Sequence, residues 1–450
     1  MMAGTSLGHS KLILLPILVA LLIGAPQAHS QETPTVYDPP SSQLVEDSAD
    51  EDSIDLHSAI EKAIQNNREL ALMKTRIEIG RGRLRSSDGV DNPEFRISNI
   101  STGYITDEFD ELELGLRWRP PRIGEMAEKR EEARLRLWER KVEADQFAIE
   151  LVTRVRYTHA DVLLHEELVK IEKQRLEIET KRLALVEKMK DLGRRSIVYY
   201  TKARMWLAES RSEYSREVQR RNQARRHLGR LTGIRKPVSV PKNGELPKVE
   251  LSLEELQEIA YRSRPITKLL EPSLELARAQ YNAERFMLIP WFSYLEVSYH
   301  MEDRDMDWGE LMFGLELPLF NWNIGNIKAT KKRINRKRQQ SEAVSERIED
   351  QVRIRYNRYQ EAILDWELSS KDGKEVISIT EELLGDAGQH KTLPADEILE
   401  LKLTIADTKK LLAEKRHRLA YTLADLLSAV GVNKVEQISG TGNGHANRPE

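Results

Sequence analysis

The longest patterned stretch of this chain runs from Ile123 to Leu192, with no proline after Pro121 and no glycine between Gly124 and Gly193. An unbroken helix of roughly 70 residues is about 100 Å long, more than a compact domain uses. Tyr157, Leu164, Ile171, Ile178, Leu185 and Leu192 form one seven-residue series, and Val155, Val162, Val169, Leu176 and Leu183 form a second, two positions ahead. Two positions on a helix are about 200° apart, so these stripes lie on nearly opposite sides, each with a coiled-coil period. A rod with two seams has a neighbour on each side, as in a sheet or a closed tube of helices. The competing reading is an ordinary long helix in a bundle, with Glu172, Lys173 and Glu179 keeping the faces between the stripes polar.

Around this rod the pattern predicts a helix from Ile54 to Ser86, capped by Asp52 or Ser53, then strands from Glu94 to Thr102 and Glu111 to Arg119 about an acidic turn at 106–110. The second strand alternates cleanly, with Leu112, Leu114, Leu116 and Trp118 opposite Glu111, Glu113, Gly115 and Arg117. After Gly193 a return helix runs from Ile197 to Leu231. The order then recurs: Leu56, Ala63, Leu72, Pro93 and Phe95 reappear as Leu253, Ala260, Leu269, Pro290 and Phe292, all at an offset of 197. Strands are predicted from Trp291 to Met301 and Glu310 to Phe320, a second long helix from Ile324 to Leu384 with a break around Gly385 to Pro394, and a return helix from Ala395 to Val430. A period this long means two copies of a large unit, not a solenoid. We divide the chain into a first repeat at 53–236, a linker at 237–250 and a second repeat at 251–431.

Each predicted strand is about ten residues long with one apolar and one polar face, the length and alternation of an outer-membrane barrel strand. Trp118, Trp291, Phe292, Phe320 and Trp322 fall at the strand ends nearest the helices, where an interfacial girdle would lie. Four strands cannot close a barrel, and a bilayer offers no water to an open edge, so chains must combine. Three chains would supply twelve strands and a ring of helical rods. The same alternation also fits two soluble hairpins packed on a periplasmic domain.

Composition adds compartment. Lys11, the apolar run Leu12 to Ile23 and Ala28-His29-Ser30 have the form of a secretory signal over 1–30, followed by a proline- and acid-rich leader at 31–52. The tail at 432–450 is polar and glycine-rich, and is expected to be disordered. With no cysteine there is no disulfide and no lipid-modified cysteine, and no later segment approaches 18 apolar residues. A net charge of −3 gives no general reason to expect nucleic acid. The chain holds no P-loop, G-x-S-x-G or H-E-x-x-H motif and no cysteine nucleophile, so no enzyme, cofactor or metal site is predicted. His159 and His165, six apart, are poorly spaced for a shared metal and are expected to face solvent.

Helix, hairpin, very long helix, glycine turn and return helix, repeated twice behind a signal peptide, resemble the TolC family of outer-membrane efflux proteins. Arg117-Trp118-Arg119-Pro120 to Gly124 and Leu317-Pro318-Leu319-Phe320-Asn321-Trp322-Asn323-Ile324-Gly325 are similar to its strand-to-helix crossover, and Gly193 to Arg204 to its periplasmic tip. The resemblance implies a fold of long coiled-coil helices forming an α-barrel, with four strands per chain contributing to a trimeric twelve-stranded β-barrel. It implies a homotrimeric channel in the outer membrane, in contact with its lipid, and as partners a periplasmic adaptor and an inner-membrane pump of the RND type.

For such a duct the useful chemistry is rings of charge. Glu111, Glu113, Glu296, Glu310 and Glu316 fall on the polar strand faces and are candidates for the barrel lumen. Glu397 and Glu400 resemble the family's aperture acids, and their other reading is surface charge on a coiled-coil helix. Gly193, Arg194, Gln389 and His390 are candidates for the helix tips that meet the adaptor. Tyr199 stands where many relatives place an acid that latches the closed state, so the family's charged bridge does not carry over at this position. The function expected is an exit duct for small molecules or metal ions; the alternative is a periplasmic coiled-coil adaptor or structural protein that never enters the membrane.

Overall fold

A computed structural model of the chain describes residues 53–99, 111–241, 246–302, 306–390 and 393–432, without the side chains of 99, 111, 302 and 387–390. The signal, the leader, both acidic hairpin turns in whole or part, and all but the first residue of the tail lie outside the described residues.

Among the described residues, eight α-helices and four strands follow in the order α1 (Leu56–Asn66), α2 (Arg68–Ser86), β1 (Glu94–Asn99), β2 (Glu111–Trp118), α3 (Glu125–Asp191), α4 (Ile197–Thr232), α5 (Leu253–Ser263), α6 (Leu270–Phe286), β3 (Trp291–Glu302), β4 (Trp308–Glu316), α7 (Ile324–His390) and α8 (Ala395–Val430), with a 3-10 turn at Pro265–Leu269 between α5 and α6. The second half repeats the first element for element, and α5 starts 197 residues after α1. The first helix starts at Leu56 and not at Ile54, and its cap is Asp55, whose side chain accepts from the Ser58 N–H, not Asp52 or Ser53. Three further boundaries differ from the sequence reading. The helix expected over Ile54 to Ser86 is two, because Asn67 leaves helical geometry to cap α2 through its side chain at Leu70 N, 2.9 Å away. Strand β4 stops at Glu316, since Pro318 has no N–H to continue a ladder. Helix α7 does not break at Gly385 but runs on to His390; one glycine costs a helix about 1 kcal/mol, too little to end a rod held by packing along its length.

The long rods end on backbone geometry. Gly193 sits at φ 71°, and its N–H meets Lys190 O while the Arg194 N–H reaches Met189 O, a two-bond C-cap that satisfies the last carbonyls of α3 and turns the chain back. An L-residue at that φ is disfavoured, which is why glycine stands at the tip.

The four rods lie side by side in the order α4, α3, α8, α7. Helix α3 therefore has a neighbour on each flank. Val155 and Val162 pack with Leu151 and, from α4, Leu228, in one core. Leu164 and Ile171 pack with Ala406 and Ala413 of α8 in another. The two-seam pattern is thus the structure of the rod, and the single-stripe reading is set aside. Two details are corrected. Leu192, the last member of its series, is exposed, because α3 has ended. Glu172 is 0% and Glu179 5% exposed, so neither lies on a solvated face. Glu172 is held by Lys410 of α8 at 2.8 Å, and Glu179 lies 3.4 Å from Arg182. The outer rods keep apolar residues in the open, Leu364, Leu368, Ile379 and Leu383 on α7 and Ile197, Val198 and Met205 on α4.

The strands form one antiparallel sheet in the order β1-β2-β3-β4. Arg96 pairs with Gly115, Gly115 with Ser298 and Ser298 with Glu310 across it, while Ile97, Leu114, Tyr299 and Leu116, Val297, Leu311 make the alternate rows. A bulge between Phe292 and Tyr294 is accommodated at Gly314, where a Cβ would stand 2.3 Å from Ser293 Oγ.

Candidate functional site

The sheet is inside out by the standard of a water-soluble protein. Leu311 is 66% and Phe313 63% exposed on the apolar face, with Phe95, Ile97, Leu116, Val297 and Leu315 exposed beside them, whereas Glu296 on the polar face is 1% exposed. Among the described residues nothing covers this apolar face, and an exposed patch of this kind marks a surface that meets a membrane or a partner. Trp118, Phe292, Phe320 and Trp322 are exposed at the helix-proximal end, while Trp291 is half-buried and donates from Nε1 to Pro120 O at 3.2 Å. An indole with an apolar body and a satisfied polar edge suits a membrane–water boundary.

The polar face carries two layers. Near the helices, Glu296 accepts from Arg96 Nη1 at 3.0 Å and from Arg117 Nε at 2.7 Å, and Arg117 lies over the Tyr294 ring. Glu296, a lumen candidate from its place on the polar face, is a compensated ion held by two cations from the neighbouring strands. Toward the far end, His300 stacks on Trp308 with ring centroids 4.0 Å apart and lies 3.2 Å from Ser298 Oγ and 3.4 Å from Glu310. Glu113 pairs across the sheet with His300. Glu316 is at the end of β4, exposed, and ion-paired with Arg122. The backbone of Glu111 begins β2; its side chain is outside the described residues.

At the opposite pole the two helix turns meet. Arg195, just past Gly193 and Arg194, donates from Nη2 to Asp396 Oδ2 at 2.5 Å, joining the first turn to the start of α8. The same guanidinium lies 4.5 Å over the Tyr199 ring; Tyr199 meets Trp206 edge-on, and Arg182 covers Trp206 at 5.2 Å. Burial pushes the Glu179 carboxyl above its ordinary range, with Arg182 pulling the other way. Glu397 is exposed, and Glu400 is exposed with Arg182 Nη2 at 3.8 Å. Gln389 and His390 close α7, their side chains outside the described residues. Sequence reasoning passed over Asp396 and Arg195. The available signal was an acid in the first turn of α8, where the helix dipole favours it, facing a basic pair in the other tip.

Midway along the rods, His159 and His165 are not solvent-facing as expected. His165 Nδ1 lies 2.8 Å from Glu217, and His159 is buried. Among the described residues no group of three or more His, Cys, Asp or Glu could hold a metal, and no helix is long and apolar enough to cross a membrane.

No protein-family model matches this sequence, and no curated protein matches it. Solved structures do. The chain has the fold of the outer-membrane channels in which a β-barrel continues into a long helical barrel. CusC, solved in a study of transmembrane channel formation, is 18% identical at a TM-score of 0.67, covering 84% of this chain and 93% of its own. The open-state MtrE outer-membrane channel of Neisseria gonorrhoeae is 17% identical at 0.65, covering 84% and 89%. The outer-membrane protein VceC of Vibrio cholerae is 16% identical at 0.63, covering 84% and 96%.

Proposed function

We propose that this chain is one third of a TolC-like outer-membrane channel: a passive exit duct for small molecules or metal ions, working with a periplasmic adaptor and an inner-membrane pump of the RND type. The observation that carries this reading is the inverted sheet, apolar outside and polar within. Three copies of a four-stranded sheet make a closed twelve-stranded barrel with no free edge. The same closure sets α7 of one copy against α4 of the next and covers the apolar residues both rods leave open. On this reading the units 53–236 and 251–431 are a duplication joined by 237–250.

Glu113, Glu310, Glu316 and Glu111 would line the lumen, where Glu296 is neutralised by its arginines. Glu397 and Glu400 would ring the periplasmic aperture. Gly193, Arg194, Gln389 and His390 would meet the adaptor. A soluble periplasmic scaffold fits less well, because among the described residues nothing covers the outer face of the sheet. The reading is tested by the mass of the purified protein in detergent. A particle of three chains that aggregates when detergent is withdrawn is expected; a monomer stable without detergent would contradict it.

A further inference from the structure

A recess of about 450 Å³ opens where α3 runs between α4 and α8. The duct reading gives it no role. Three side chains on its wall, each at most 5% exposed, carry a polar atom that bonds to nothing in the protein: Glu172 Oε2 and Glu179 Oε2 of α3, and Ser210 Oγ of α4. Each carboxylate uses only its other oxygen, Glu172 toward Lys410 at 2.8 Å and Glu179 toward Arg182 at 3.4 Å. Acceptors taken out of water and left unmet cost the fold stability, which a donor entering the recess would return.

The surrounding charges set the sign of that donor. Every cation on the wall is already committed to an acid: Lys410 to Glu172, Arg182 to Glu179 with Glu400 at 3.8 Å, and Arg175 to Asp407 at 2.7 Å. Of the other two carboxylates on the wall, Glu213 is paired with Arg216 at 2.7 Å and Glu209 is exposed. Acids outnumber cations on the wall, and still do when Asp407, Glu400 and Arg216 are included, so a cationic donor is favoured over a neutral one. A cation beside Glu179 would also draw down a carboxyl that burial holds above its ordinary range.

Spacing sets the shape. Glu172 and Glu179 stand seven positions apart, two turns and about 10 Å along α3. Among the described residues no group of three or more His, Cys, Asp or Glu could hold a metal, and one compact ion does not span two such acids. A flexible chain with a charge at each end does, and Leu403 of α8 and Trp206 of α4 give it an apolar wall. We propose that this recess binds a linear aliphatic diamine or polyamine, its ammonium groups donating to Glu172 Oε2 and Glu179 Oε2, with Ser210 Oγ as a further acceptor and the methylenes against Leu403 and Trp206. The site is complete in one chain, so its failure would leave the channel reading standing, and failure of that reading would leave the site standing.

The test is calorimetric titration of the purified full-length protein in detergent with heptamethylenediamine, against heptylamine, heptamethylene glycol and protein-free micelles. Saturable binding of the diamine at one site per chain is expected, with the monoamine weaker by about tenfold, the equivalent of one charge-assisted hydrogen bond, and the glycol weaker still. Glu179→Gln should weaken the diamine about tenfold and bring it to the level of the monoamine. Ser210→Ala removes a hydroxyl that has no bond to lose, so it leaves the fold intact, and should weaken the diamine about threefold; it keeps the proposal testable if Glu179→Gln does not fold. Glu397→Gln, at an acid of α8 that does not line the recess, should change nothing. No saturable binding, a monoamine or glycol that binds as tightly as the diamine, diamine binding unchanged in Glu179→Gln or Ser210→Ala, or an equal loss in Glu397→Gln would overturn it.

Discussion

Arg195 and Asp396, separated by 201 positions in sequence, hold the two helix turns of the chain together through a 2.5 Å ion pair. The contact stands close to where Tyr199 had replaced the acid expected of a latch, and it supplies a charged link from different residues. Both side chains are about a third exposed, so the pair is worth about 1 kcal/mol at most. If the proposed channel reading holds, replacing Asp396 by Asn should raise its open probability about two- to fivefold in planar bilayers, and high salt should reproduce the effect in the parent protein.

The Glu296 triad makes a different prediction. Glu296→Gln leaves the partly exposed Arg96 and Arg117 with no carboxylate between them, which costs about 1–2 kcal/mol after screening. The assembled protein should lose heat resistance in mild detergent. Its lumen should shift toward anions, read as a change in reversal potential under a salt gradient.

Glu172 and Lys410 test the seam between α3 and α8. Lys410→Met strands a fully buried carboxylate and should destabilise by about 3–5 kcal/mol, whereas Glu172→Leu with Lys410→Met should recover most of that loss. A double-mutant cycle on the melting temperature measures the difference.

Acid sensitivity follows from His159. Its folded pKa is about 4, below the ordinary imidazole value of about 6.5, so between those limits the unfolded chain binds a proton that the folded chain does not. Stability is therefore lost as pH falls from about 6.5 to about 4 and levels off below, by about 3 kcal/mol in all. In His159→Phe that portion of the pH dependence of melting should vanish.

Much of this was legible in the sequence because periodicity reports burial directly. The Val155 and Tyr157 series predicted two flanks for α3 and both were found, and the alternation of β2 and β3 predicted a two-faced sheet. What sequence could not show was which polar residues pay for being inside. Glu172 and Glu179 look like solvated charges until α8 brings Lys410 beside the first, and Glu296 shows no partner until the register sets Arg117 opposite it. His159 sits in a stretch that carries Arg154, Arg156 and Asp161, and its burial comes from tertiary packing that the local pattern does not announce. Boundaries failed where one residue decides between alternatives of similar energy, as at Asn67 and Gly385.

Single-channel recording of the purified protein in planar lipid bilayers tests the central claim most directly. Discrete, long-lived conductance steps, altered by Asp396→Asn, are the result expected of a closed barrel with a latched periplasmic end. A protein that inserts no pores, and leaves the bilayer silent at every voltage and salt concentration, would contradict it.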